Sequence, residues 1–255
     1  MFIQRKIIIT DMLNEQQTVK VIDLANILNV SVDTIRRDLK QLEQDGILTC
    51  VHGGAVANMT TAEQFTKFSG RAIENQDKKL EATKKAISEI KENDVVFLNG
   101  GTTNVIVAQQ IIENCSNITI ITNNASVSQV FFETTNVKNI ELIVIGGKLD
   151  MEERYLYGSD CLSVLETYFP DVAIFSINAL HSDIGYTDFR EGEIPIMQLL
   201  QKNARKTIAI MDSSKLQKKS RKLIFGFDKI DKLYMDDNIS EVMRKKYLNA
   251  GVEIL

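Results

Sequence analysis

The sequence predicts a small domain of three helices and a β hairpin, followed by a larger α/β domain with a mainly parallel sheet. Three observations support this prediction. Apolar residues recur at helical spacing in the first part of the chain, an apolar run leads into the pair Gly53-Gly54, and short β-branched runs alternate with helical segments from Asp94 onward. We therefore expect a first domain over residues 1–57, a polar linker over residues 58–75 and a second domain over residues 76–255.

Three amphipathic helices are predicted in the first domain, over residues 4–14, from Thr18 to Leu28 and from Ser31 to Gly46. Each has apolar residues at a spacing of three or four, which is the pattern of a helix with one buried face. These residues are Ile7, Ile8, Ile9, Met12 and Leu13, then Val21, Leu24, Ala25 and Leu28, then Val32, Ile35, Leu39 and Leu42. Ser31 is a suitable N-cap for the third helix because its hydroxyl can accept a backbone N–H, and Gly46 is suited to the C′ position.

The third helix has a defined polar face. At about 100° per residue, Arg37 lies nearly opposite the apolar stripe and Arg36 lies nearer its edge. A short capped helix that follows a tight turn and a second helix is typical of a helix that lies in the DNA major groove. The hairpin at residues 47–55 would then be the wing of a winged helix-turn-helix. The alternative is an ordinary surface helix whose arginines only form ion pairs with Asp33 or Asp38.

The DNA-binding interpretation rests on the placement of charges, because the net charge does not support it. The chain has 30 Lys and Arg residues against 34 Asp and Glu residues, and its formal net charge is -4. Arg37 and Thr34 would contact base edges. Ser31 and His52 would lie on phosphates. The predicted DNA-contacting residues are Ser31, Asp33, Thr34, Arg36, Arg37, Lys40, His52 and Gly53.

Six runs rich in β-branched residues predict strands in the second domain. They are Asp94–Leu98, Ile118–Thr122, Ile140–Ile145, Asp171–Ile177, Lys206–Met211 and Lys232–Met235. Helical segments lie between most of them, over residues 77–90, 103–114, 124–133, 159–167 and 192–204. This alternation is typical of βαβ units, so we expect a mainly parallel sheet with its binding face at the carboxyl ends of the strands.

Polar turns follow several of these strands and predict a site for a phosphate or another anion. Glycines permit close approach of the backbone, and Thr102 opens a helix whose first N–H groups are free. The candidate residues are Gly100, Gly101, Thr102, Thr103, Thr122, Asn123, Asn124, Gly146, Gly147, Asp212 and Lys215. Taken singly, each turn could be an ordinary strand-to-helix connection. Spacing alone favours a capped turn with a solvated lysine for Asp212–Lys215.

The composition argues against several other classes of site. Cys50, Cys115 and Cys161 lie far apart, which argues against a disulfide framework and against zinc. His52 and His181 are too isolated for a metal site or a catalytic triad. We therefore expect no metal, no cofactor and no catalytic residue. No signal segment or apolar run of transmembrane length is present, so we expect a cytoplasmic protein without a membrane partner.

The chain resembles the DeoR family of bacterial transcription regulators over essentially its full length. Arg5, Ile9 and Leu13 stand at the family's characteristic distance before the block Ser31–Leu39. The segment His52–Ala55 is similar to the family's wing signature. The turns that resemble landmarks of the family's effector domain are Gly101-Thr102-Thr103, Thr122-Asn123, Gly146-Gly147 and Asp212-Ser213-Ser214-Lys215.

The resemblance implies a second domain related in fold to ribose-5-phosphate isomerase, which in this family commonly senses phosphorylated sugars. The implied function is a repressor of a sugar-catabolism operon, with double-stranded operator DNA and a phosphorylated sugar effector as partners. We expect a homo-oligomer, a dimer or a tetramer, because palindromic operators match two-fold symmetric proteins. The chain departs from many members at Cys50, where they have arginine, and at Pro195–Gln198, where they have a lysine.

Two other classes of function remain open from the sequence. One is an enzyme with an isomerase-like or CoA-transferase-like α/β domain, although no acid/base pair stands out and Met197 occupies the position expected for a lysine. The other is a protein-interaction adaptor with a degenerate helix-turn-helix. Turnover of ribose 5-phosphate would favour the enzyme, and failure to bind any DNA would favour the adaptor.

Overall fold

The chain divides into two compact units, Met1–Thr66 and Lys67–Leu255. The computed structural model describes residues 5–6, 8–10, 12–13, 18–44, 47–51, 53–57, 68–135 and 137–255. The predicted cap residue Gly46 and the predicted wing residue His52 lie outside the described residues.

The N-terminal unit contains three helices and a three-stranded antiparallel sheet. The described residues between 5 and 13 are helical and form α1, while α2 is Val21–Ile27 and α3 is Val32–Gln44. The strands β1 (Thr18–Lys20), β2 (Leu48–Val51) and β3 (Gly54–Ala57) are ordered β1-β3-β2. The predicted apolar stripes meet in one core, which includes Ile9, Leu13, Leu24, Ile35, Leu39, Leu42 and Leu48. This arrangement confirms the predicted winged helix-turn-helix.

The predicted start of the second helix at Thr18 is wrong. Thr18 begins the strand β1, and α2 begins at Val21. The strand pairs with β3, where Val19 lies opposite Ala55. A Cβ atom at Gly54 would lie 2.1 Å from the carbonyl oxygen of Val19, so glycine lets the two strands approach. Three residues are too few to show a periodicity of their own, and only pairing with the wing reveals this strand.

The C-terminal unit is built around a six-stranded sheet whose neighbouring strands are all parallel. The strands of this unit are β4 (Val95–Leu98), β5 (Ile118–Thr122), β6 (Ile140–Val144), β7 (Lys148–Asp150), β8 (Tyr155–Tyr157), β9 (Val172–Ser176), β10 (Ala179–His181), β11 (Gly185–Asp188), β12 (Lys206–Ile210), β13 (Lys222–Phe225) and β14 (Lys232–Tyr234). The central sheet has the order β14-β12-β9-β4-β5-β6. The six predicted strands of a parallel sheet are therefore confirmed.

Five further strands were not predicted from the sequence. β10, β11 and β13 form a small antiparallel sheet, and β7 pairs with β8 in a hairpin. Each has only three or four residues. Such short runs have almost no alternation to recognise, and their pairing depends on contacts that are distant in the chain.

Helices cover both faces of the central sheet. They are α4 (Phe68–Ile73), α5 (Gln76–Ala86), α6 (Thr102–Asn114), α7 (Ala125–Glu133), α8 (Ser159–Leu165), α9 (Glu193–Asn203) and α10 (Glu241–Asn249). Along β4, Phe97 belongs to one buried apolar cluster, while Val96 and Leu98 belong to the other. The strand is therefore buried on both faces, as is usual in a parallel sheet. No helix in the described part of the chain is long and apolar enough to cross a membrane.

The predicted irregular linker over residues 58–75 differs from the structure in its last part. Phe68–Ile73 is the helix α4 and belongs to the C-terminal unit. Its Phe68 and Arg71 side chains are buried. Residues 58–67 lie outside the described residues. The sequence did not predict α4, because six residues that include a glycine show little helical pattern.

Candidate functional site

The first candidate site is the exposed face of α3, and its start is capped as predicted. The backbone N–H of Thr34 donates to Oγ of Ser31 over 3.2 Å, and the two hydroxyl oxygens lie 2.8 Å apart. The cap satisfies one of the free N–H groups of the first turn. Arg36, Arg37 and Lys40 are exposed along the same helix, so the predicted face is available to a partner.

Two of the three acidic residues of α3 pair with arginines, one buried and one exposed. Asp38 is only 5% exposed, and its carboxylate accepts two hydrogen bonds from the Arg5 guanidinium over 2.5 and 3.0 Å. Exposed Asp33 pairs with Arg36 over 3.3 Å. No ion pair of Arg37 is found within the described part of the chain. Arg37 is therefore the arginine of α3 whose charge is not compensated by a carboxylate among the described residues. The alternative role, in which the arginines of α3 only form ion pairs, applies to Arg36.

The wing is tied directly to α3. Oε1 of Glu43 accepts the backbone N–H of Cys50 over 2.7 Å. At the hairpin tip, Gly53 has φ of 81°, a left-handed conformation that glycine adopts without strain. Its carbonyl oxygen accepts the N–H of Val21 over 3.0 Å. The hairpin is thus hydrogen-bonded to both α2 and α3.

The second candidate site lies in the C-terminal unit where the strand order reverses. The chain runs outward from β4 through β5 to β6, and outward from β9 through β12 to β14. The connections after β4 and β9 therefore leave in opposite directions and open a crevice at the carboxyl ends of these strands. We call this crevice the α6 pocket. Its lining residues are Arg71, Lys79, Gly101, Thr102, Thr103, Ser176, Ile177, Asn178, Phe189, Arg190 and Lys215.

The turn between β4 and α6 forms one wall of the α6 pocket. Gly101 has φ of 123°, and a Cβ atom there would lie 2.6 Å from Oγ of Ser176 and 2.9 Å from Nη1 of Arg190. Thr102 and Thr103 follow at the start of α6, which is 13 residues long. The first turn of such a helix presents free N–H groups and the positive end of its dipole. The turn is thus suited to an anion.

Lysines add positive charge to this wall. Lys79 is 3% exposed, and its Nζ donates to the carbonyl oxygen of Arg71 and to Oγ1 of Thr102, the latter over 3.3 Å. Burial lowers the pKa of Lys79 to about 8, while the nearby carboxylate of Asp212 partly opposes this shift. No ion pair of Lys79 or Lys215 is found among the described residues, so their charge is available to a ligand.

The two arginines of the α6 pocket are compensated by carboxylates. Arg71 forms an ion pair with Glu153, and its guanidinium lies 5.1 Å from the centroid of the Phe189 ring. Arg190 donates to both carboxylate oxygens of Asp188, over 2.9 and 2.6 Å. The excess positive charge of the pocket therefore comes from the lysines and from the α6 terminus.

A buried carboxylate supports the turn from below. Glu193 is fully buried and accepts hydrogen bonds from Nδ2 of Asn99 over 2.8 Å, from the N–H of Gly100 over 2.9 Å and from Nδ2 of Asn123. Burial raises the pKa of its carboxyl group. The turns after β4 and β5 are thereby fastened to the first turn of α9, which gives the wall a fixed shape.

The structure brings four of the predicted anion-site residues together in the α6 pocket: Gly101, Thr102, Thr103 and Lys215. Gly100 lies directly beneath the wall, where its carbonyl oxygen accepts Nη1 of Arg190 over 2.5 Å. Asp212 caps a short 3₁₀ turn by accepting the N–H of Ser214 over 3.1 Å. This 3₁₀ turn is the capped turn that spacing alone favours for Asp212–Lys215.

The remaining predicted residues of the anion site do not line the α6 pocket. Thr122 donates to the carbonyl of Leu98 over 2.7 Å, and Asn124 caps α7 by accepting the N–H of Ser126 over 3.0 Å. Asn123 is bonded to Glu193, as described above. Gly146 and Gly147 are exposed. The reason is the strand order: β5 and β6 lie progressively farther from the reversal between β4 and β9.

Sequence reasoning missed more than half of the lining of the α6 pocket. The missed residues are Arg71, Lys79, Ser176, Ile177, Asn178, Phe189 and Arg190. The predicted strand Asp171–Ile177 was a usable signal for Asn178, since the residue after a parallel strand lies at the binding edge. Lys79 on α5 and Arg190 after β11 carried no such signal.

Comparison with known proteins gives a family for each of the two units. Residues 5–61 match the DeoR-like helix-turn-helix domain, and residues 74–237 match the DeoR C terminal sensor domain. The N-terminal unit thus defines a DNA-binding protein of the helix-turn-helix class. The chain belongs to the DeoR family of transcriptional regulators.

Curated relatives cover almost the whole chain. The transcriptional regulator GolR of Listeria innocua is 31% identical over 98% of this chain and 96% of its own. The repressor GlcR of Bacillus subtilis is 29% identical over 99% and 95%. A putative aga operon transcriptional repressor of Escherichia coli O157:H7 is 27% identical over 99% and 93%.

Solved structures with similarity to the chain are more distant. Ribose 5-phosphate isomerase A of Methanocaldococcus jannaschii has a TM-score of 0.39 at 16% identity, over 56% of this chain and 55% of that one. The eIF2B beta subunit of Chaetomium thermophilum has a TM-score of 0.48 at 13% identity, over 68% and 53%. The chain thus spans little more than half the length of each.

Proposed function

We propose that this protein is a repressor of a sugar-catabolism operon whose operator binding is controlled by a phosphorylated sugar. The observation that carries the proposal is the excess positive charge of the α6 pocket, where the α6 terminus meets Lys79 and Lys215. A phosphate group fits such a donor set, because backbone N–H groups and ammonium groups both stabilise its charge. The family's sensor domain and the names of the repressor relatives support the same reading.

On the DNA side, we propose that α3 lies in the major groove of the operator. Arg37 and Thr34 would contact base edges, and the hairpin would contact the backbone at Gly53. The uncompensated charge of Arg37 supports this assignment, whereas Arg36 would first have to leave Asp33. Self-association into a dimer or a tetramer would place two such helices on a palindromic site.

Replacement of Arg37 tests the DNA assignment. We expect Arg37→Ala to lose about 1–3 kcal/mol of binding to the operator and to relax the preference at one base pair, because a bidentate contact to guanine is lost. Gel-shift titrations measure both effects on DNA from the region upstream of the protein's own gene and on the same DNA with single base substitutions. Arg221→Ala, which removes an exposed arginine of the C-terminal unit, is the matched control. An unchanged base preference in Arg37→Ala would remove Arg37 from the recognition surface.

The sensor assignment is tested by thermal shift of the full chain against a panel of sugar phosphates and their unphosphorylated sugars. We expect at least one sugar phosphate to raise the melting temperature and to change operator affinity, while the free sugar does neither. A protein that binds operator DNA but responds to none of the phosphates would contradict the sensor assignment and leave the DNA assignment intact.

A further inference from the structure

We propose that Asn178 is a specificity-determining residue of the α6 pocket, where its side-chain amide binds a hydroxyl group of the sugar part of the effector. The proposal rests on the proposed function, and it adds that the effector is recognised as a polyol as well as an anion. Asn178 lies two residues beyond β9, at the carboxyl end of that strand.

The side chain of Asn178 has an unmet hydrogen-bonding capacity. The residue is 7% exposed and lines the α6 pocket. Its Oδ1 atom is buried and has no hydrogen-bond partner among the described residues. Buried polar atoms normally have a partner, because leaving one unsatisfied is unfavourable. A ligand in the pocket is the proposed source of the missing group.

The partner that Oδ1 of Asn178 lacks is a hydrogen-bond donor, because an amide oxygen only accepts. The phosphate group of the effector cannot be this partner. At neutral pH the oxygens of a phosphate monoester are almost entirely acceptors, since its second pKa is near 6. They fit the donors of the α6 terminus and of Lys79 and Lys215. The oxygen of Asn178 requires an O–H or an N–H, and a sugar hydroxyl provides one. The pocket therefore has an anion-binding part and a hydroxyl-binding part.

The two parts are held at a fixed separation by bonds that run from Asn178 through Asp188 and Arg190 to Gly100. The backbone N–H of Asn178 donates to Oδ2 of Asp188 over 3.2 Å. Asp188 is paired with Arg190, whose Nη1 donates to the carbonyl oxygen of Gly100 over 2.5 Å. This chain of contacts links the segment after β9 to the turn that faces the phosphate. A ligand has to match both parts at once, which is the basis of specificity.

Titration calorimetry on the full chain tests the proposal with two kinds of probe. The first is the best-binding member of a set containing ribose 5-phosphate, glucose 6-phosphate and fructose 1-phosphate. The second is propyl phosphate, which has the anion but no hydroxyl. We expect Asn178→Ala to weaken the sugar phosphate about tenfold, the usual scale for loss of one buried hydrogen bond. Propyl phosphate should bind the wild-type protein and Asn178→Ala with equal affinity.

Asn178→Leu, which keeps the branching at Cγ but removes the polar atoms, repeats the measurement in case the alanine variant folds poorly. Asn249→Ala, at an exposed position of α10, is the surface control. Equal losses for both probes would assign Asn178 a structural role and overturn the proposal. Undiminished binding of the sugar phosphate by both variants would overturn it as well. A wild-type protein that binds no sugar phosphate would refute the proposed function, and this inference with it.

Discussion

Lys79 shows how burial of a single residue sets the chemistry of the sensor. Its ammonium group is held among protein atoms by two hydrogen bonds, one to the carbonyl of Arg71 and one to the hydroxyl of Thr102. Loss of hydration disfavours the charged form, which is why its pKa falls from 10.5 to about 8. A bound anion would supply the missing stabilisation, so protonation of Lys79 and anion binding favour each other.

This linkage predicts a pH dependence. Above pH 7 a phosphate monoester is already a dianion, so its own charge changes little between pH 7 and 9. Over the same range Lys79 loses its proton, because its pKa is about 8. We expect the affinity for a sugar phosphate to fall by about tenfold over this range. Calorimetry at several pH values measures it.

Lys79→Met provides the comparison, and it should bind more weakly with a flatter profile. Lys84→Met, which alters an exposed lysine of the same helix, should retain the wild-type profile. A wild-type affinity that rises with pH would contradict the role given to Lys79.

At the scale of elements, Gly101 in the turn between β4 and α6 is required by its surroundings, whereas Gly146 after β6 is not. Gly101 combines a positive φ with contacts that leave no room for a side chain. At Gly146 a Cβ atom would meet nothing within 4 Å. The turn after β6 has its own tight glycine at the next position, because Gly147 has φ of 153° and a Cβ atom there would lie 2.6 Å from the carbonyl oxygen of Tyr157.

The pair Gly101→Ala and Gly146→Ala tests this difference. We expect Gly101→Ala to lower the stability of the protein by about 1–3 kcal/mol, because a strained φ and close contacts with Ser176 and Arg190 are introduced. It should also abolish the thermal shift caused by sugar phosphates. Gly146→Ala should change stability by less than about 0.5 kcal/mol and retain the response. A lost response in Gly146→Ala would return the turn after β6 to the ligand site.

At the scale of the whole molecule, the proposed function requires the two sites to be coupled thermodynamically. A ligand changes operator affinity only if it binds the DNA-competent state and the other state with different affinity. The coupling free energy is the same whichever ligand is added first. The two ligands must therefore change each other's affinity by the same factor, whatever structural route connects the two sites.

We expect this reciprocity to hold in measurement. If a sugar phosphate weakens operator binding by a factor between about 5 and 150, operator DNA should weaken sugar phosphate binding by the same factor. Calorimetry of the protein with and without operator DNA gives one factor, and gel-shift titrations with and without sugar phosphate give the other. Arg37→Ala without DNA should bind the sugar phosphate normally. A factor of one in both titrations would mean that sugar phosphate binding is not coupled to operator binding, which would contradict the proposed control.

Local patterns were sufficient for the six central strands and for the exposed side of α3. The apolar stripe of α3 dictates which residues face inward, and so Arg37 faces outward whatever surrounds the helix. The cap at Ser31 and the six parallel strands follow from equally local rules, since each depends on residues within a few positions of one another. The same reasoning failed at Thr18, where a three-residue strand exists only because the wing pairs with it.

The α6 pocket is different because its residues come from distant parts of the chain. Lys79, Gly101 and Asn178 meet only when β4 and β9 become neighbours, and this depends on the order of strands in the folded sheet. The sequence indicates that turns at strand ends are candidates. It cannot tell which of them lie at the reversal, because that choice is made by packing interactions between segments far apart in sequence.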